Sequence, residues 1–359
     1  MTFENELGIM EIIKKDIRKV SVDELKDFFV ANGEKAFKAK QMYEWFWKKS
    51  VQSFDEMTNL SLNTRGLLKT HFVIQPLTVD TVQTSKDGTI KSGFRLHDNH
   101  LVEGVLIPTR KRMTACISSQ VGCSLSCKFC ATGYMERKRN LDASEIYDQV
   151  IAIKKQAEEN FDRELTNVVY MGMGEPLLNY ANMLKSVEFL TSEKGLNLAS
   201  RRITVSTAGI AKMIKKLGDD EVKFHLALSL HAANDEKRNQ IMPINEQNSL
   251  SALADALKHF HSKTKRHITY EYIVFNDFND NLTDAEELYK FTKHVPCKVN
   301  IIEYNPIAEA SFVNTEQDKL DKFAQYLERK GVNVNIRRSR GKDIDAACGQ
   351  LTKKAENKE

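Results

Sequence analysis

Three of the chain's six cysteines lie within eight positions, and their type and spacing indicate metal chemistry. Cys123, Cys127 and Cys130 have the spacing C-x3-C-x2-C, with Phe129 directly before the third cysteine. Thiolates are soft ligands that favour zinc or iron–sulfur clusters over magnesium or calcium. A structural zinc site is closed by four protein ligands, and no histidine lies nearby in the sequence to complete this set. Three cysteines on a four-iron, four-sulfur (4Fe-4S) cluster leave one iron open to a small molecule; a zinc knuckle and three ordinary buried cysteines remain the alternatives.

The composition of the 359-residue chain indicates a globular protein of about two domains. Hydrophobic residues make up 41% and charged residues 28%, which excludes an intrinsically disordered chain. Its apolar runs are too short to cross a bilayer and its N-terminus lacks an export signal, so we expect a cytoplasmic protein with reduced cysteines and no membrane partner. The net charge is +4, so any nucleic acid must be bound by local basic patches.

Residues 1–75 are predicted to form a small helical domain. Ser21 and Glu24 have the spacing of a capping box, and Ser53 and Glu56 repeat it before a helical stretch that ends near residue 69. We interpret the aromatic residues at 45–47, which include both tryptophans, as the core of this domain rather than as a base-stacking surface. The lysines of this domain suit contacts with phosphates, so we further expect it to be an RNA-binding accessory domain.

Residues 76–108 alternate between polar and apolar side chains, which predicts strands. A hairpin over 77–84 and 89–96 turns at Asp87-Gly88, and a third strand follows over 101–107. Glu103 interrupts the apolar run of that third strand, and the alternation alone assigns it to the solvent face.

Residues 109–342 repeat a strand, a loop and a helix six times, which predicts an α/β protein with a partial (β/α)6 barrel. The predicted strands are 113–118, 167–171, 202–206, 222–230, 267–274 and 298–304. The predicted helices are 143–155, 180–190, 210–217, 250–261 and 284–293, followed by a helix over 317–330 and a strand over 332–338. The cysteine trio directly follows the first strand, at the edge where such barrels carry their chemistry.

The later strands also end in polar or glycine-rich turns. The second is followed by Met171-Gly-Met-Gly-Glu-Pro176, the third ends in Ser206, the fourth leads into Ser229-Leu-His231, and the sixth is followed by Asn305. Because these ends meet at one edge of a parallel sheet, we expect them to bind one extended ligand together with the cysteine trio.

The other three cysteines occupy different environments. Cys297 lies at the entrance of a strand and is interpreted as a small buried hydrophobe. Cys116 lies inside the first strand of the barrel. Cys348 lies in Ala346-Ala-Cys-Gly349 of a C-terminal segment over 343–359, where nothing supplies packing, so it is a candidate nucleophile.

The cysteine spacing resembles the signature of the radical S-adenosylmethionine (SAM) superfamily, and the motifs together resemble one family within it. That family is the RlmN type of radical SAM RNA methyltransferase, and the resemblance covers nearly the whole chain. The motifs that carry it are Gln41–Phe46, Ser119–Gly133, Met171–Pro176, Ser229–His231, Met242–Asn245 and Asp343–Gln350.

The resemblance implies a cofactor set and a substrate. One 4Fe-4S cluster would be held by Cys123, Cys127 and Cys130. SAM would be bound by Gly174, Glu175, Ser206, Ser229, Leu230, His231 and Asn305. The substrate would be an adenine of 23S rRNA, and for some members also the adenine beside the anticodon of tRNA. A reducing electron donor such as flavodoxin would be needed.

The resemblance also implies a catalytic sequence on carbon 2 of the adenine. Cys348 would take a methyl group from one SAM, and a deoxyadenosyl radical from a second SAM would remove a hydrogen from that methyl. The resulting radical would add to the adenine, Glu103 would take the ring proton, and Cys116 would resolve the protein–RNA crosslink by forming a disulfide with Cys348. Carbon 2 is electron-poor and has no acidic proton, so a radical can add where a carbanion cannot form.

Two alternatives accompany this interpretation. A sister enzyme with the same machinery methylates carbon 8 of adenine, and the Glu175-Pro176 dipeptide favours the carbon-2 type. A non-catalytic, zinc-dependent RNA-binding protein is the alternative from another class. In either case the basic clusters at 110–112, 137–139 and 337–340 are candidate phosphate contacts.

Overall fold

The computed structural model describes residues 14–352, so the predicted terminal segments are covered only in part. The helices are α1 (Val22–Ala31), α2 (Lys38–Trp47), α3 (Leu62–His71), α4 (Ala143–Phe161), α5 (Tyr180–Thr191), α6 (Ala211–Asp219), α7 (Asp235–Ile241), α8 (Leu250–Thr264), α9 (Leu282–Thr292) and α10 (Gln317–Arg329). The strands are β1 (Lys15–Asp16), β2 (Phe72–Val73), β3 (Thr78–Thr84), β4 (Ile90–Arg95), β5 (Leu101–Pro108), β6 (Met113–Cys116), β7 (Gln120–Val121), β8 (Arg139–Asn140), β9 (Asn167–Tyr170), β10 (Ile203–Thr207), β11 (His225–Ser229), β12 (Ile268–Val274), β13 (Cys297–Glu303) and β14 (Val334–Arg337). None of the described helices is long and apolar enough to cross a membrane.

One ten-stranded sheet organises the molecule, in the order β14-β13-β12-β11-β10-β9-β6-β5-β4-β3. The seven strands from β6 to β14 in this order are parallel, and helices connect them. This arrangement confirms the predicted partial barrel and adds β14 to it as a further parallel strand. The carboxyl ends of these strands share one edge, which is called the rim below.

The predicted strands and helices of the core are confirmed, with ends that shift by a few residues. The largest shift is in α4, which continues six residues beyond the predicted end to Phe161. Helix α7 was missed, because seven mostly polar residues give no periodic apolar pattern.

The capping boxes of the N-terminal helices are both present, but one does not begin a helix. Ser21 accepts from the backbone N–H of Glu24 and caps α1, as predicted. Ser53 and Glu56 instead close a single 3-10 turn, and α3 begins at Leu62 after the cap Ser61. The second prediction was therefore right about the local turn and wrong about the start of the helix.

The N-terminal helices pack onto the barrel through aromatic rings. Trp47 is 3% exposed and stacks on Phe189 of α5 with ring centroids 3.6 Å apart. Tyr147 of α4 meets the same indole edge-on at 5.1 Å and donates its hydroxyl to the Trp47 carbonyl at 2.8 Å. The two tryptophans are thus core residues, as predicted, and Trp47 lies where the helices meet the barrel.

The hairpin β3–β4 and strand β5 extend the barrel sheet on its antiparallel side. Thr84 pairs with Ile90 across the Asp87-Gly88 turn, and β5 pairs with β6 of the barrel. Glu103 lies in β5 with a side chain that is only 12% exposed. The assignment of Glu103 to the solvent face from alternation was therefore wrong.

Trp47→Ala tests the interface between the N-terminal helices and the barrel. Removing a fully packed indole leaves a cavity, and we expect the free energy of unfolding to fall by about 3–5 kcal/mol. Urea denaturation followed by far-UV circular dichroism measures it. Leu62→Ala is the control, because Leu62 is 77% exposed and its truncation should change the value by less than about 0.5 kcal/mol. Equal destabilisation of the two variants would contradict this packing.

Candidate active site

The rim surrounds a cavity of about 420 Å³. Most of the predicted site residues line it, namely Cys116, Cys123, Cys127, Cys130, Gly174, Glu175, Ser206, Ser229, His231 and Cys348. Glu103, Leu230 and Asn305 do not line it. The cavity therefore brings together cysteines that lie far apart in the sequence.

The cysteine trio lies in a loop that follows β6. Gly133 lets this loop fold back tightly, because a Cβ there would lie 2.5 Å from the carbonyl oxygen of Cys127. Burial raises the pKa of all three thiols, that of Cys123 to about 11. Three neutral thiols are thus held side by side, and metal binding there would release their protons.

Glu175 is a buried carboxylate that the backbone holds in place at the end of β9. Its Oε2 accepts from the N–H of Ala208 at 2.7 Å and its Oε1 from the N–H of Leu177 at 3.0 Å. Burial raises its pKa to about 6, although these hydrogen bonds oppose the shift. Gly174 before it has φ +89°, and a Cβ there would meet the side chain of Gln120 at 2.4 Å. The glycine is required where the backbone turns into the cavity.

The ends of β10 and β11 place two hydroxyls and one imidazole at the cavity. The Oγ atoms of Ser206 and Ser229 are 3.5 Å apart. His231 is 4% exposed, and its Nδ1 accepts from the N–H of Ile273 at 3.1 Å. Burial, assisted by the nearby Arg238 cation, lowers the pKa of His231 to about 3. The imidazole is therefore neutral at physiological pH and acts as an acceptor.

Leu230 and Asn305 lie beside the cavity. Leu230 is fully buried, and its carbonyl accepts from Nε of Arg238 at 3.0 Å. Asn305 donates from Nδ2 to the carbonyl of Cys348 at 3.1 Å. Its buried Oδ1 has no hydrogen-bond partner among the described residues. Such an atom indicates a missing donor, which a bound ligand or water can supply.

Cys116 and Cys348 share the cavity with the trio. Cys116 is 8% exposed at the end of β6, whereas Cys348 is exposed in the turn after β14. Burial raises the pKa of Cys116 to about 12, and the negative charge of a Cys348 thiolate contributes to that shift. The two thiols are thus close enough to interact, and both are protonated at neutral pH.

Hydrogen bonds to several other parts of the chain hold the C-terminal segment over 341–352. Its Gly349 carbonyl accepts from the N–H of Ala131 in the cysteine loop at 2.7 Å. The N–H of Gly341 donates to Asp87 of the hairpin at 3.0 Å. Asn305 binds Cys348 itself. These contacts fix Cys348 over the cavity.

Glu103 lies on the same face of the sheet as Cys116, but the C-terminal segment covers it. Its Oε2 accepts from the N–H of Thr352 at 2.8 Å, and its Oε1 lies 3.5 Å from Nζ of Lys91. Lys91 is also buried and donates to the carbonyl of Asp345 at 3.4 Å. Burial raises the pKa of Glu103, and Lys91 opposes that shift.

Comparison with known proteins identifies the family. Two family models match, the ribosomal RNA large subunit methyltransferase N-terminal domain over residues 15–74 and the radical SAM superfamily over residues 117–291. A probable dual-specificity RNA methyltransferase RlmN of Cytophaga hutchinsonii is 66% identical, covering 95% of this chain and 93% of that protein. The protein of the same name from Christiangramia forsetii is 56% identical, covering 95% and 97%. This chain belongs to the RlmN family of radical SAM RNA methyltransferases.

A solved structure agrees with this assignment. The crystal structure of a radical SAM methyltransferase from Sphaerobacter thermophilus is 38% identical and matches with a TM-score of 0.88. The match covers 94% of this chain and 99% of that chain. The chain is therefore an enzyme whose cofactors are a 4Fe-4S cluster and SAM. Membership of a methyltransferase family decides against the alternative of a non-catalytic zinc protein.

The cysteine loop fits the cluster of this family better than it fits a single ion. In residues 14–352, no three His, Cys, Asp or Glu side chains converge closely enough to hold one metal ion. Thiolates on a 4Fe-4S cluster bind separate irons, so they need not converge on one point. The cavity beside them offers the hydroxyls of Ser206 and Ser229 to a polar ligand, and the unpaired Oδ1 of Asn305 lies next to the cavity.

Sequence reasoning missed two buried cations at the site, Lys91 and Arg238. Lys91 lies on β4 and pairs with Val105 of β5, which is two positions from Glu103 and on the same face of the sheet. This pairing is the sole signal that Lys91 faces inward with Glu103. Arg238 lies in the missed helix α7. Its place between the motifs Ser229–His231 and Met242–Asn245 could have drawn attention to it.

The neutral His231 predicts a pH dependence of stability. In the unfolded chain histidine binds a proton near pH 6.5, but folded His231 binds one only near pH 3. The unfolded state therefore holds more protons in this window, and stability is lost as the pH falls through it. Between pH 6.5 and 5, we expect the free energy of unfolding of the apo-protein to fall by about 2 kcal/mol more than that of the His231→Asn variant. In this variant the Oδ1 of asparagine takes the position of Nδ1.

Urea unfolding of both proteins at the two pH values measures this difference. Every other titrating group is shared, so the comparison isolates His231. The same loss of stability in both proteins would contradict a buried neutral imidazole.

Proposed function

We propose that this enzyme methylates carbon 2 of an adenine in 23S rRNA, and of the adenine beside the anticodon in tRNA, through a methylated Cys348. The observation that carries the proposal is the single cavity that Cys348 shares with Cys116 and the cysteine loop. A thiol that first accepts a methyl group and then meets a radical must lie beside both the cluster and SAM. The relatives' name, dual-specificity RNA methyltransferase, supports the two RNA substrates.

The cysteine loop and the polar strand ends divide the cofactor binding. Cys123, Cys127 and Cys130 hold the cluster, which when bound supplies the electron that generates a radical from SAM. SAM would be held along the rim by Gly174, Glu175, Ser206, Ser229, Leu230, His231 and Asn305. Because Nδ1 of neutral His231 already accepts from Ile273, its Nε2–H suits an acceptor of SAM, whereas the unpaired Oδ1 of Asn305 suits a hydrogen-bond donor of SAM.

Cys348 acts as a nucleophile and then as a carrier. Although Cys348 is accessible from the cavity, the protein atoms packed around it desolvate its thiol and raise the pKa to about 11, and the nearby Arg337 cation opposes that shift. SAM carries a sulfonium cation, so its binding beside Cys348 favours the thiolate that attacks the methyl group. The resulting thioether gives up one hydrogen to the radical, and its methylene carbon then forms a bond to carbon 2 of the adenine.

Glu103 and Cys116 release the product. Glu103 takes the proton from carbon 2, and its raised pKa makes it a better base near neutral pH than an exposed glutamate. The unpaired electron left on the adenine adduct would return to the oxidised cluster. Cys116 then gives up its thiol proton and attacks the sulfur of Cys348; the electron pair of the broken carbon–sulfur bond takes up a proton to complete the methyl group, and a Cys116–Cys348 disulfide remains. Because Thr352 covers Glu103 in this structure, the end of the C-terminal segment must move before the Glu103 carboxylate can reach the adenine.

The reaction also requires a reducing partner and an adenine that the active site can reach. The electrons for SAM cleavage and for reducing the disulfide come from a reductant of the flavodoxin type, and the enzyme works in the cytoplasm with its RNA substrates. The adenine must leave its stack to reach Cys348, which favours loops and single strands. Residues 15–74, which match the N-terminal family model, assist RNA binding.

Substitution of the two cysteines tests the proposal. Cys348→Ala should yield no methylated adenine when rRNA and tRNA are incubated with SAM and reductant and then analysed as nucleosides by mass spectrometry. Cys116→Ala should still methylate Cys348 but leave RNA covalently attached to the protein. Cys297→Ala is the matched control, because this thiol lies at the opposite end of the sheet and should leave turnover unchanged.

Two outcomes would contradict the proposal. Full turnover by Cys348→Ala would exclude the methyl-cysteine route. Methylation at carbon 8 in the same nucleoside analysis would assign the chain to the sister activity.

The basic residues around the cavity mouth divide into paired and unpaired cations. Arg139 is bound to Glu145 and Asp98, and Arg338 is bound to Glu303. Among the described residues, Arg340 and the exposed turn 110–112 form no salt bridge, and Arg340 and Thr109 line the cavity. We assign the phosphate contacts to these unpaired cations.

Arg340→Gln and Lys111→Gln test the phosphate contacts. Each should weaken RNA binding and reduce the slope of log K against log salt by about 0.7–0.9 for each phosphate that the variant no longer neutralises. Filter binding at several salt concentrations measures the slope. Lys155→Gln is the control, because its ammonium already pairs with Glu159 and it does not line the cavity. A slope that matches that of the wild type in the first two variants would exclude these contacts.

A further inference from the structure

Arg238 is the largest fully buried side chain in the described part of the chain, and the reaction above gives it no role. It lies in α7, the short helix between His231 and Met242. A buried cation is costly unless an anion compensates it. Its surroundings therefore require an explanation.

Among the described residues, the Arg238 guanidinium donates hydrogen bonds only to uncharged oxygen atoms. Nη2 donates to the carbonyls of Ala208 at 2.6 Å and Ser229 at 3.2 Å, and Nη1 donates to Oδ1 of Asn245 at 2.6 Å. Nε donates to the Leu230 carbonyl, as described above. Asp235, a carboxylate on the same helix, binds Nδ2 of Asn245 at 2.8 Å and the N–H of Leu250 instead of the guanidinium.

Arg18 shows how this chain compensates a buried guanidinium elsewhere. Its side chain is 3% exposed and contacts two carboxylates, Asp16 at 3.1 Å and Asp148 at 2.8 Å. Arg238 is buried at least as deeply, yet no salt bridge to it occurs within residues 14–352. Asp235 acts on the guanidinium through its charge without a salt bridge, so direct compensation is left to an anion that is not a side-chain carboxylate.

The cysteine loop lies next to Arg238. The Ile241 carbonyl of α7 accepts from the N–H of Lys128 at 2.9 Å, and Ile241 and Met242 share an apolar cluster with the cysteine trio. Burial lowers the pKa of Arg238 to about 10, and the charge of Cys127 is the largest influence in the opposite direction. Arg238 does not line the cavity: its guanidinium is bonded to the backbone at the ends of β10 and β11, while its helix contacts the cysteine loop.

We propose that Arg238 is the buried counter-ion of the iron–sulfur cluster and raises its reduction potential. Three thiolates on an oxidised 4Fe-4S core leave one net negative charge, and the electron from the reductant adds a second. No bond forms or breaks in this step, so the protein acts through its field alone. A fixed cation in a water-excluded interior favours the more negative state, which is the one that cleaves SAM.

This inference rests on the proposed ligation of the cluster by the cysteine loop and is independent of which RNA is methylated. Iron content and absorbance of the reconstituted wild-type enzyme test the ligation first. A wild-type chain that binds no iron would refute the proposed function, whereas the comparison of variants below addresses Arg238 alone.

The test is a redox titration of the reconstituted enzyme without SAM, followed by electron paramagnetic resonance of the reduced cluster. Arg238→Gln should shift the midpoint potential by at least about 59 mV to more negative values, which is a tenfold decrease in the one-electron equilibrium constant. Arg238→Lys keeps the charge and should stay near the wild type. Lys237→Gln removes a charge from the neighbouring position, where Lys237 is paired with Asp284, and should also leave the potential unchanged.

Two results would overturn the proposal. One is a wild-type potential in Arg238→Gln. The other is a shift that appears only after SAM is added, which would make Arg238 a partner of the SAM carboxylate.

A second variant decides the matter if Arg238→Gln does not fold. The double change Asn245→Asp with Asp235→Asn keeps the net charge and moves a carboxylate against Nη1 of Arg238. We expect the same negative shift of potential, because the guanidinium is then neutralised by a side chain. An unchanged potential in this variant would equally overturn the proposal.

Discussion

The return of the C-terminal segment across the rim is the constraint on which the rest of the site depends. After β14 the chain could leave the barrel, but contacts with the hairpin, with the cysteine loop and with Asn305 hold it over the cavity. Cys348 thereby enters the same cavity as Cys116 and the cysteine trio. Without this return the molecule would keep its sheet and its cysteine loop but would lack the thiol that we propose as the methyl acceptor.

Burial sets the charge state of this site before any cofactor arrives. It keeps the cysteine thiols protonated, keeps His231 neutral and raises the pKa of Glu175. In such an interior each charge that does appear acts strongly, because little water screens it. In the proposed reaction, the cluster and the sulfonium of SAM would therefore decide which thiol is ionised, and the buried cations Lys91 and Arg238 would add to their effect.

Much of the fold and site could be predicted from local sequence patterns. The Asp87-Gly88 turn, the capping box at Ser21 and the strand–helix repeats each depend on neighbours in the chain, and the cysteine spacing indicated the iron–sulfur chemistry that the family assignment confirms. The failures depend on contacts across the fold. Glu103 is covered by Thr352, a residue 249 positions away, which no alternation pattern contains. Helix α7 is stabilised through Arg238 and its tertiary contacts, so its polar sequence gave no signal.

The most direct test of the account is the fate of the methyl hydrogens. The enzyme should be incubated with SAM whose methyl group is fully deuterated, and the methylated adenine should be analysed by mass spectrometry. The account predicts that the product methyl has one deuterium fewer than the methyl of SAM, because Cys348 carries that methyl while one deuterium passes to the radical. A product that retains every deuterium would mean direct transfer from SAM and would contradict the role of Cys348.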